Sequence, residues 1–237
     1  MQQTIVLPQD AFESSDKTLA EKAYRLLRED IVAGRLAPGL KLKIEMLRDR
    51  YGLGAGPLRE ALARLSGDHL VTLLGQRGCI VAPLSAQDAR EIGELRKQLE
   101  AEAIAQSLPR GDRAWEERLI SAWYRLERLE RSAEPRDLTE WEGLNTEFHE
   151  ALVGAASSVW LLRMRSMMYK HHERYRQLSR SRPALSRDVH EEHRALFESA
   201  MDRDVPRAIE VTLAHIQRTT DRVVAALEAG GTAPTTP

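Results

Sequence analysis

Three of the chain's seven histidines stand where a helical fold could gather their rings. His149 follows Phe148, His193 ends the run Glu191-Glu192-His193, and His215 lies near the C-terminal end. Each falls in a different stretch of helical periodicity. Asn145 precedes His149 by four residues, so the two share one helix face. Three neutral imidazoles from three helices plus one oxygen donor form a coordination set for a divalent ion inside a bundle. Taken alone the pattern is weak, because a histidine on a helix is more often a surface residue or a satisfied core residue. A three-His site with an open position also has an enzymatic alternative, a metal-dependent hydrolase with Glu192 as base. No catalytic signature surrounds the cluster to favour it. His69, His171, His172 and His190 fall outside the pattern, although His171 or His172 could turn inward.

A second constellation lies between Lys43 and Pro83. Around Tyr51-Gly52-Leu53-Gly54-Ala55-Gly56-Pro57-Leu58-Arg59-Glu60-Ala61-Leu62 the chain reads as a helix, a tight turn and a second helix, followed by a small hairpin. That order describes a device for entering the DNA major groove. On the second helix Leu58, Ala61, Leu62 and Leu65 form an inward stripe, leaving Ala55, Gly56, Arg59 and Ala63 opposite. Small residues at the helix start let the backbone approach a phosphate. Arg59 suits a bidentate contact to guanine, and Arg35, Lys41, Lys43, Arg48 and Arg77 suit phosphates. Arg77 and Gly78 form the hairpin tip, which could enter the minor groove. A lone exposed arginine on a helix is usually just solvated, so the weight rests on the order of the elements.

The elements that must position these residues fall into two groups. Residues 1–16 lack periodicity and read as a mobile arm. Residues 17–84 predict three helices and a hairpin: one helix from Thr18 to Gly34, one from about Ile44 to Tyr51, one from Ala55, then strands at 71–74 and 79–81. Residues 85–229 predict only helices, at roughly 86–108, 112–132, 137–156, 158–181, 186–202 and 204–229, with breakers at Pro109-Arg110-Gly111, Glu134-Pro135 and Arg182-Pro183. The fold expected is therefore mainly α, a winged helix-turn-helix followed by a six-helix antiparallel bundle, with residues 230–237 a disordered tail. The 237 residues carry a net charge of −1, which hides an asymmetry. Residues 17–84 hold 12 Lys/Arg against 7 Asp/Glu, and residues 85–237 hold 23 against 26, so only the front half suits a polyanion. The single cysteine, Cys79, fits a reducing compartment. With no membrane-length apolar run and no basic leader, a cytoplasmic protein is expected.

Residues 18–83 resemble the winged helix-turn-helix of the GntR family of bacterial transcription regulators. The resemblance rests on Gly34-Arg35-Leu36-Ala37-Pro38-Gly39 and Pro57-Leu58-Arg59-Glu60-Ala61-Leu62. The helical half resembles the ligand-binding (FCD) domain of its FadR branch. Asn145, His149, His193 and His215 fall on that domain's metal-ligand pattern, with asparagine replacing the usual aspartate. The resemblance implies a divalent ion, zinc before nickel or manganese, and a small organic acid as effector. It implies operator DNA as partner, a homodimer and no membrane. Arg96 matches a family arginine facing the effector, although its spacing to Glu100 equally suits a surface ion pair. Arg163, Arg174 and Tyr175 are further candidates for effector contact. Within the family, Gly52–Leu62 and Arg174-Tyr175-Arg176 resemble the carbon-starvation-induced repressors of glutarate and GABA catabolism, which implies a dicarboxylate such as glutarate. Two departures follow. The family often has Ser-Arg-Thr where this chain has Gly54-Ala55-Gly56, which leaves more of the base reading to Arg59. A neutral Asn145 implies weaker metal retention and a greater demand for an anionic effector.

Overall fold

The computed structural model describes residues 18–75, 78–132, 137–180 and 189–229. The chain divides into two compact units between Pro83 and Leu84.

The first unit opens with α1, Leu19–Val32, started by a capping box in which Thr18 and Glu21 satisfy each other's backbone N–H groups. Strand β1, Lys41–Leu42, leads into α2, Ile44–Tyr51. Gly52 ends α2 at φ 65°, a left-handed conformation that favours glycine. Gly54 instead serves as the N-cap of α3, Ala55–Gly67, with ordinary φ. Strands β2, Val71–Leu73, and β3, Cys79–Val81, complete a three-stranded antiparallel sheet of order β1-β3-β2. The sequence predicts only the hairpin. The added strand arises because Lys41 and Leu42 pair with Ile80 and Cys79, and a two-residue strand has no periodicity to read. Ala23, Leu27, Ile31, Leu47, Leu58, Ala61, Leu65 and Val81 form the core.

One buried acid organises this unit. Asp30 is only 8% exposed and accepts from Arg35 Nε (2.5 Å), from Arg50 Nη2 (2.6 Å) and from the Tyr51 hydroxyl (2.7 Å). It thus ties the end of α1 to the end of α2. Burial pushes its pKa up, but the hydrogen bonds from Tyr51, Arg35 and Arg50 outweigh burial and bring it below the usual value. Tyr24 makes a similar tie, donating to Asp68 at the end of α3 (2.6 Å); burial and that bond push its pKa up to about 12.

The second unit is a bundle of six α-helices among the described residues: α4 Ala86–Ser107, α5 Arg113–Glu130, α6 Leu138–Val153, α7 Val159–Arg180, α8 Val189–Met201 and α9 Val205–Ala229. These spans fall within the expected ones, which ran a few residues longer at most ends. A 3-10 turn at Leu108–Arg110 follows α4, where Pro109 ends the α-helical pattern. Ser85, Asp112 and Asp137 cap the starts of α4, α5 and α6 with side-chain oxygens. Helix α4 packs on α9, α7 and α6, α5 packs on α6 and α8, and α8 on α9. At the α4–α9 contact Gly93 is required, because a Cβ there would stand 2.5 Å from Thr220 Oγ1. Among the described residues no helix is long and apolar enough to cross a membrane.

All four tryptophans lie in the second unit, so tryptophan emission reports on the bundle alone. Asp30→Ala is expected to cost the first unit about 2–3 kcal/mol, because it leaves Arg50 and Tyr51 without their acceptor. Thermal unfolding followed by circular dichroism should show an earlier phase with the tryptophan transition unmoved. Because the folded pKa of Asp30 is depressed, the stabilisation is present above the unfolded value of about 3.9 and fades as pH falls below it.

Candidate functional site

Histidines 149, 193 and 215 come from α6, α8 and α9, and the structure brings their ligand atoms to within 4.8 Å of one another. His149 is 6% exposed and His193 0%. Two carboxylates sit behind the rings. Glu130, the last residue of α5, faces His193 Nδ1 at 2.9 Å, and Glu192 faces His215 Nδ1 at 2.9 Å. An ionised carboxylate can only accept, so each Nδ1 carries a proton, and in the neutral ring the lone pair then lies on Nε2. His193 Nε2 is buried with no hydrogen-bond partner. Burial first, then the rings of His215 and His193, hold the pKa of His149 well below the usual histidine range, which keeps that ring neutral.

Asn145 completes the cluster's chemistry. Its Nδ2 donates to the Tyr169 hydroxyl at 2.8 Å, and its Oδ1 is buried without a partner. Unsatisfied acceptors in a core are costly, and here two come from residues expected to bind one ion. Three imidazoles and an amide oxygen, with His193 Nε2 and Asn145 Oδ1 unpartnered, suit a divalent cation of borderline softness.

Tyr169 joins this cluster to a shell of arginines. The guanidinium groups of Arg96, Arg165 and Arg176 lie 4.7, 5.6 and 4.7 Å from its ring centroid. Arg165 is 1% exposed, and its fork holds Glu100 (2.7 Å), Glu150 (2.7 Å) and the carbonyl of His149 (2.9 Å). Burial alone would lower its pKa, but Glu100 and Glu150 raise it overall. Arg176 pairs with Glu142. Arg96 differs. It contacts Glu100 (3.1 Å) and His172 Nδ1 (2.7 Å), yet its Nε is buried without a partner, and burial lowers its pKa despite Glu100, with Arg176 adding to the lowering. Its positive charge is the under-compensated one, so a carboxylate or similar anion is its natural complement.

Several expectations change here. Arg96 pairs with Glu100 as its spacing suggests, but inside the bundle rather than on the surface. Arg163 is not in the shell: it is exposed, stacked 5.0 Å from the ring centroid of Trp160, because the buried face of α7 passes through Arg165. Tyr175 belongs elsewhere too. Its hydroxyl bonds to Asp88 and receives the Ser85 N–H, anchoring the start of α4 within a cluster of Ala89, Val223 and Val224. Arg174 is buried and feels Tyr175 and Asp88, so it shares that end. Glu192 holds His215 Nδ1 and Arg218 Nη1 (3.2 Å), the place of an orienting carboxylate rather than a base beside an open position. His172 turns inward, as expected of it or His171, and it joins Arg165, Tyr169 and Arg176, which were missed. Their spacing of four, three and four along α7 was the available signal.

On the first unit, α3 presents Gly56, Arg59, Glu60, Ala63 and Arg64 to solvent, with Ala55 half-buried. A Cβ at Gly56 would meet nothing within 4 Å. Lys41, Lys43 and Arg48 are exposed. Arg35 is committed to Asp30, although 54% of its side chain remains exposed. Arg64 is held over the Tyr24 ring at 4.4 Å. Gly78 has φ 93°, and Arg77 lies outside the described residues.

A helix-turn-helix with a small antiparallel sheet, joined to a helical bundle, is the build of a DNA-binding transcription regulator. Residues 19–81 match the model of bacterial regulatory proteins of the gntR family, and residues 91–218 match that of the FCD domain. The chain belongs to the GntR family. It is 43% identical over 204 residues to the HTH-type transcriptional regulator BphR of Paraburkholderia xenovorans (strain LB400), covering 85% of this chain and 83% of that protein. It is 36% identical over 198 residues to the HTH-type transcriptional repressor GlaR of Escherichia coli (strain K12), covering 81% and 90%. The solved structure of E. coli McbR/YncC shares the fold at TM-score 0.73 and 19% identity, over 87% of this chain and 97% of that one. These relatives are regulators, so the hydrolase alternative has no support.

Arg165→Ala is expected to destabilise the bundle by about 3–5 kcal/mol, since it takes the Oε2 partner from buried Glu100 and the donor from the His149 carbonyl. Arg163→Ala should stay within about 0.5 kcal/mol. Urea unfolding followed by tryptophan emission separates the two.

Proposed function

We propose that this chain is a repressor that a small carboxylate releases from operator DNA, the acid binding in the bundle beside a divalent ion. His149, His193, His215 and Asn145 are the ligands, with zinc the first metal to test and nickel or manganese the alternatives. The observation that carries the reading is the convergence of three imidazoles beside a buried, unpartnered amide oxygen. When bound there, a divalent ion supplies a Lewis acid for a carboxylate.

The chain's own residues do the rest. Glu130 and Glu192 fix the imidazole tautomers, and Asn145 adds an oxygen without charge. Arg96, whose Nε has no partner inside the bundle, holds and orients the effector's carboxylate. Tyr169 connects the two by its hydroxyl and its ring face. A dicarboxylate such as glutarate offers one end to the ion and one to the arginines, and it is the first compound to test. Residues 17–84 serve as the DNA-binding unit and 85–229 as the effector unit. Arg59 reads a base, Ala55 and Gly56 allow close approach, and Arg35, Lys43, Arg48, Arg77 and Gly78 meet the backbone and groove edge. Two chains place paired α3 helices on a pseudo-palindrome. The acid acts only through its differential affinity for the DNA-competent and released arrangements.

Fluorescence anisotropy on DNA from upstream of the chain's own gene tests the reading. Arg59→Ala is expected to weaken specific binding about 5- to 150-fold, the equivalent of about 1–3 kcal/mol. Arg96→Ala should bind the operator as native protein does but no longer release it when the acid is added. Absence of operator binding by the native chain, with and without metal and acid, contradicts the proposal.

A further inference from the structure

We propose that Glu130 supplies the negative charge that this site lacks at Asn145, acting through His193 as a positioning residue. The inference rests on the metal-pocket reading above and concerns how this chain makes a neutral ligand set retain an ion.

With Asn145 and three neutral imidazoles, every ligand is uncharged, so a divalent ion there would keep its full charge of about +2. Burial makes such a charge costly unless an anion stands close. Two carboxylates are near enough, and they are not equivalent. Glu192 has a side chain 10% exposed and shares its charge between His215 Nδ1 and Arg218 Nη1, the latter at 3.2 Å. Glu130 has a side chain 0% exposed. Its Oε1 takes the Nδ1–H of His193 at 2.9 Å and the Trp141 Nε1–H at 2.9 Å, and its Oε2 stands 3.5 Å from His190 Nδ1.

A carboxylate that accepts from Nδ1–H draws the proton toward itself and raises electron density at Nε2. For His193 that Nε2 is the buried atom with no partner. The strong hydrogen bond therefore transmits anionic character to the ligand atom, across one imidazole, in surroundings that screen little. Trp141 fixes the carboxylate's position from the first turn of α6, the helix that also carries Asn145 and His149. The charge that an aspartate would place directly on the ion is thus placed one ring behind it.

The test is zinc affinity of the full-length chain, measured by competition with a chromophoric chelator for native protein, Glu130→Gln, Glu130→Asp, Glu192→Gln, Asn145→Asp and the Asn145→Asp/Glu130→Gln pair. Glu130→Gln is expected to weaken zinc binding about 10- to 100-fold, and Glu192→Gln by less. Restoring a charge at position 145 should bring the double variant back to within about tenfold of native. A packing role would not be rescued by a carboxylate on the other side of the ring. Glu130→Asp, which keeps the charge, should hold zinc more tightly than Glu130→Gln. Native affinity in Glu130→Gln, or a double variant as weak as Glu130→Gln alone, overturns this role while leaving the pocket standing. A native chain that binds no zinc overturns the pocket and this role together.

Discussion

The hydrogen bonds that the outer nitrogens of His193 and His215 donate to Glu130 and Glu192 are the constraint on which the bundle's proposed chemistry depends. Each fixes a tautomer, and a fixed tautomer turns a ring that could donate either way into a directed lone pair. Without the carboxylates, buried imidazoles could rotate to satisfy themselves. With them, His193 Nε2 stays unpaired in the core, and Asn145 Oδ1, committed by its amide bond to Tyr169, stays unpaired as well. A fold tolerates two such acceptors only where its remaining packing is strong, here Phe148, Leu152, Trp115, Leu119 and Leu196 with their neighbours.

The same logic explains the arginine shell. Arg165 is a structural cation, answered by two carboxylates and a carbonyl, and it locks α4 to α6 and α7. Arg96 shares Glu100 with Arg165, faces Arg176 and keeps one nitrogen unbonded. Arg96 thus has only a shared carboxylate, and its Nε lies beside Tyr169 without a partner. On the proposed reading, uncharged ligands on one side and Arg96 on the other would favour an anion that reaches both.

Much of this was legible in the residues. The glycine pair around Leu53, the proline in the first turn of α3 and the glycine-bounded hairpin carry turn chemistry that tertiary context seldom overrides. The bundle's helices were marked by their periodicity and by breakers such as Pro109-Arg110-Gly111, whereas the caps Ser85, Asp112 and Asp137 emerge from the structure. The three histidines could be grouped only by resemblance, since no spacing rule joins residues on different helices. What failed was local in the wrong way. Arg163 and Arg165 differ by two positions, which on a helix is the difference between outside and inside. Glu130 and Asp30 were invisible because an acid's role is set by partners distant in sequence: 63 residues for His193 and 20 for Arg50. Strand β1 was missed because pairing with β3, not its own sequence, makes it a strand.

The central claim is that three imidazoles and Asn145 hold one divalent ion inside the bundle. X-ray absorption spectroscopy of the zinc-reloaded full-length chain tests it most directly. The account predicts an all nitrogen and oxygen first coordination sphere at about 2.0–2.2 Å, with outer-sphere scattering that fits three imidazoles. A spectrum fitted by one imidazole or none, or a chain that retains no zinc after dialysis, would contradict it.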